Sequence, residues 1–115
     1  MRLTVSSVDS APDELHGQVP FVVNLLRQIP GSDRPDYWLG SVTPPLRWVV
    51  DGAEREITHL VVSARWVGGQ FVTGARYLPL NIAYVIDASV LTDARLEFAK
   101  CAYVAIGVCD VTVSA

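Results

Sequence analysis

The stretch Glu54–Trp66, EREITHLVVSARW, constrains the fold more than any other part of the chain. Its side chains alternate in character with a period of two, the signature of an extended strand. In strand phase Leu60, Val62, Ala64 and Trp66 share one face, while Ile57, His59, Val61, Ser63 and Arg65 share the other. Asp51-Gly52 precedes this stretch and Gly68-Gly69 follows it. An Asp-Gly pair between apolar runs supplies the positive φ angles that a tight hairpin turn requires. Leu46–Val50 is therefore expected to run antiparallel to Glu56–Trp66, which becomes the middle strand of a meander.

The remaining segments offer partners for that strand. Met1–Val8 alternates weakly and reads as an opening strand at a sheet edge, followed by a turn cluster at Asp9–Asp13 and an exposed connection ending at Gly17. Val19–Ile29 has two readings. Phe21, Leu25 and Ile29 fit a helical face between Pro20 and Pro30. The β-branched pair Val22-Val23 and the lack of a capping residue favour a strand instead. Pro30–Asp36 is a loop, and Tyr37–Gly40 is a short aromatic strand that Thr43-Pro44-Pro45 interrupts, because paired prolines do not fit a central ladder. Gln70–Thr73 begins a further strand, with Gly74 marking a bulge or turn, and Leu80–Ile86 alternates as another. Asp87–Lys100 reads as a short helical turn or loop. Cys101–Val113 reads as one strand, apolar on both faces through Val108 and covered on both sides.

Six to eight short strands separated by Gly/Pro turns predict a mainly β fold. The expectation is antiparallel sheet folded as a small sandwich or open barrel, with at most one or two short helices. The alternative is an α+β fold with a helix at 20–29. At 115 residues, half of them hydrophobic, residues 1–115 make one domain with a packed core. The net charge of −3 and scattered cations disfavour a nucleic-acid partner. No run approaches the ~20 apolar residues of a spanning helix, and no secretory signal is visible, so a cytoplasmic protein is expected. Cys101 and Cys109 would stand ~26 Å apart in one strand, too far for a disulfide, and read as free, buried thiols.

The chemistry-bearing residues form no catalytic motif. His59 is the first candidate acid or base, with Asp87 or Arg65 reaching it across the sheet. Ser63 lies two same-face steps from His59, roughly 13 Å along a strand, and cannot be a nucleophile activated by it. Asp87 closes an apolar strand, and a capping role suits it better than catalysis. His16, His59, Cys101 and Cys109 lack the close pairs of a structural zinc site, so no metal is expected. Gly68-Gly69 lacks the Lys and following helix of a phosphate loop, and no cofactor is expected.

Aromatic residues are the stronger signal for binding, since Trp and Tyr combine a large apolar area with one polar tip. Trp48 and Trp66 fit the core, while Tyr37-Trp38, after a polar loop, suits a rim contact. Tyr37, Trp38, His59, Arg65 and Tyr84 are the candidate binding residues. The function expected is a non-catalytic module that binds a partner protein or another copy of itself. Two alternatives stand beside it: a small-ligand-binding β-fold whose apolar pocket is lined by Trp38, Trp48 and Tyr84, and a small enzyme using His59. The balance falls against an enzyme.

Overall fold

A computed structural model describes residues 1–8, 13–31, 35–50, 52–64, 71, 73–74, 80–85, 91–92, 94–97, 101–103 and 108–114. For Val50, for the β5 and β6 strands and for residues 108–110 only the backbone is described. The elements in chain order are β1 (Arg2–Val8), α1 (Asp13–His16), β2 (Phe21–Gln28), β3 (Trp38–Val50), β4 (Ala53–Ala64), β5 (Leu80–Val85), β6 (Cys101–Tyr103) and β7 (Val108–Ser114). The described strands form one antiparallel sheet in the order β6-β5-β4-β3-β2-β1-β7. The fold is mainly β, as the alternation predicts, and Phe21–Gln28 is a strand rather than a helix.

The first six strands are a simple meander, and β7 returns to pair with β1. That return forces curvature. Tyr103 and Val108 are joined by five Cα steps, a reach of at most about 18 Å. Laid flat, seven strands would hold β6 and β7 about 29 Å apart. The sheet must therefore curl into an open barrel. Its concave side carries the main core: Leu3, Val5, Phe21, Val23, Leu46, Trp48, Ile57, Leu60, Val62, Val111 and Val113 are all buried in one cluster. Trp48, only 2% exposed, is the largest of these side chains. The Gly74 N–H donates to the Val113 carbonyl at 2.8 Å, so the β4–β5 connection reaches the outer edge of β7.

A second, smaller cluster lies on the convex side, where Ile29, Tyr37, Leu96 and the partly buried Leu91 cover Leu39 and Val61. The Leu96 N–H donates to the Pro30 carbonyl at 2.9 Å, and the Arg27 guanidinium donates to the Leu91 carbonyl. The segment before β6 is thereby tied across the end of β2.

Several sequence expectations need correction. Trp38–Gly40 and Leu46–Val50 are parts of one strand, β3, rather than two, and Tyr37 lies just before it. Pro44 and Pro45 still break the ladder: the β3–β4 pairing jumps from Ser41↔His59 to Leu46↔Ile57. Four residues on β3 thus oppose Thr58 alone. This bulge changes the phase of β4, so Ile57 joins Leu60 and Val62 inside instead of sharing a face with His59. Cys101–Tyr103 pairs with β5 and Val108–Ser114 with β1, at opposite ends of the pairing order, and residues 104–107, on which the single-strand reading of Cys101–Val113 turns, lie outside the described residues. The side chains of both cysteines lie outside the described residues. The connection at Asp13–Gly17 is exposed at Asp13, Glu14, His16 and Gly17 as expected, but it carries a short helix, Asp13–His16, whose Leu15 is buried in the core. Phe71, Thr73 and Gly74 lie outside any strand, with Gly74 at φ 87° in a turn.

Candidate functional site

His59 stands on the convex side of β4, half-buried, at the edge of the bulge. The strand before it is out of phase with the strand after it, so Thr58 and His59 both escape the core. The Thr58 hydroxyl lies 3.0 Å from His59 Nδ1 and either donates to it or accepts from it, according to the ring tautomer. That distance suits a base and a hydroxyl, but nucleophilic catalysis also needs a group that orients the ring and donors for the developing charge. Among the described residues, Thr58 is the ring's hydrogen-bond partner.

The neighbour that strand geometry assigns to His59 is Ser41 on β3. Following the registers further, Ser41 pairs with Asn24 on β2, Asn24 with Arg2 on β1, and Arg2 with Ser114 on β7. Directly opposed residues in an antiparallel sheet project to the same side. The buried residues Leu3, Val23, Val42, Leu60 and Val113 immediately beside these positions point inward, so the row points outward. Ser114–Arg2–Asn24–Ser41–His59 is a polar row across five strands, about 19 Å long at strand spacing. Arg2 is exposed and the other four are half-buried. Two residues along the strands runs a second row, Thr112–Thr4–Val22–Thr43. Two residues the other way, Leu39 and Val61 are covered by the second cluster, which bounds the open surface.

The other candidates fall elsewhere. Tyr37 is buried in the second cluster, and Trp38 is half-buried against the main core, so the adjacent aromatics serve opposite sides of the sheet. Tyr84 pairs with Leu60 across β4 and β5, and its side chain is outside the described residues. Arg65 and Asp87 also lie outside them, one residue beyond β4 and two beyond β5. Ser63 is fully buried, and its hydroxyl has no hydrogen-bond partner among the described residues. It shares the convex parity of His59, with Val61 between them. Among the described residues no group of three His, Cys, Asp or Glu side chains is placed to hold a metal ion. No described helix is long and apolar enough to cross a membrane.

Sequence reasoning found one end of the polar row, His59, and missed the rest. Arg2, Asn24, Ser41 and Ser114 are unremarkable polar residues in separate strands, and their alignment exists only once the registers are fixed. No family model, curated protein or solved structure matches the chain.

Proposed function

We propose that this protein is a non-catalytic interaction module, which binds a partner protein or a second copy of itself through the convex face of β7-β1-β2-β3-β4. The observation that carries the reading is the row Ser114–Arg2–Asn24–Ser41–His59, which offers hydroxyl, amide, imidazole and guanidinium groups on one side of five adjacent strands. Polar groups spread over a sheet face suit many shared contacts better than a single reacting centre. The concave side gives the pocket reading less support, since Trp48, Phe21 and Leu46 pack there against one another.

The test compares the wild-type protein with two variants in sedimentation velocity and in affinity capture from its own host. Asn24→Arg with Ser41→Arg plants two long cations in the middle of the row. Glu54→Lys alters the exposed hairpin tip instead and serves as the control. The reading expects self-association or capture in the wild type and the control, and its loss in the row variant with an unchanged circular dichroism spectrum. A wild type that stays monomeric at about 1 mM and captures nothing overturns it, as does equal binding by both variants.

A further inference from the structure

We draw no further inference here: the strongest candidate beyond the convex face, the fully buried Ser63 hydroxyl near the end of β4, is a single group with no second observation beside it that points to a ligand.

Discussion

At Gly40 a methyl group has nowhere to go. A Cβ built there would lie 2.4 Å from Val23 Cγ1 and 3.2 Å from the Asn24 carbonyl oxygen. Val23 is fully buried, so it has little freedom to retreat. Gly40→Ala should therefore destabilise the protein by about 1–3 kcal/mol, read as a lower urea midpoint at unchanged slope. Adding Val23→Ala should return part of that loss, because the two changes meet at one contact; strictly additive losses would show that the crowding lies elsewhere. Gly52 is constrained differently. Its φ is 79° and no described residue stands within 4 Å of an added Cβ, so the demand is on the backbone. Gly52→Ala should cost about 1 kcal/mol and Gly52→Asn less, since Asn tolerates that region. An alanine variant as stable as the wild type would contradict this. The need for Gly52 was legible because a two-residue turn is local. The need for Gly40 was not, because the atoms it spares belong to another strand.

Among the elements, the β3–β4 hairpin extends past the Phe21 end of β2 and leaves one backbone edge of β3 without a strand beside it among the described residues. Gln18, just after α1, fills that place with its side chain. Its Oε1 accepts from the Arg47 N–H at 2.8 Å, while Nε2 donates to the Arg47 carbonyl and, at 3.1 Å, to the Glu14 carbonyl. A primary amide reproduces the donor and acceptor of a peptide group, so one side chain satisfies an edge that would otherwise be open to pairing. Gln18→Ala should lower stability by about 1 kcal/mol and speed amide exchange at Arg47. Gln18→Glu should be worse at neutral pH, because an ionised carboxylate places acceptors against two carbonyls. Those carbonyls would raise the acid's pKa in the folded state, so the variant should recover towards the wild type as pH falls from neutral towards about 4 and the acid regains a donor. A Glu variant insensitive to pH, compared with the wild type, would rule the amide clamp out. The bulge in the same hairpin shows how a correct local rule leads to a wrong face. Pro44-Pro45 announced an interruption, but sequence alone did not show that the interruption would shift the phase of the facing strand and turn Ile57 inward. Likewise the four-residue α1 is too short to display a helical period, so buried Leu15 left no trace in the pattern.

For the molecule as a whole, the mainly β character and the antiparallel sense of the described strands were legible, because alternation and Gly/Pro turns are local signals. The return of β7 to β1 was not. Nothing in the apolar run from Cys101 announces that its start pairs with β5 and its end with β1, and only those pairings, with the limited reach between Tyr103 and Val108, show that the sheet curls. That closure gives the sheet a filled side and an open side. Trp48 marks the filled side, and truncating it to Ala should cost about 3–5 kcal/mol, enough to threaten folding in a domain of this size. The convex face marks the open side, and the interaction reading depends on it. The most direct test follows backbone amide shifts in uniformly labelled protein, first on concentrating it from about 10 μM to about 1 mM and then on adding any captured partner. Changes should concentrate at Arg2, Asn24, Ser41, His59 and Ser114 and fall away towards the hairpin tip. Changes gathered at Arg47–Glu56 instead, or spectra that stay the same throughout, would contradict it.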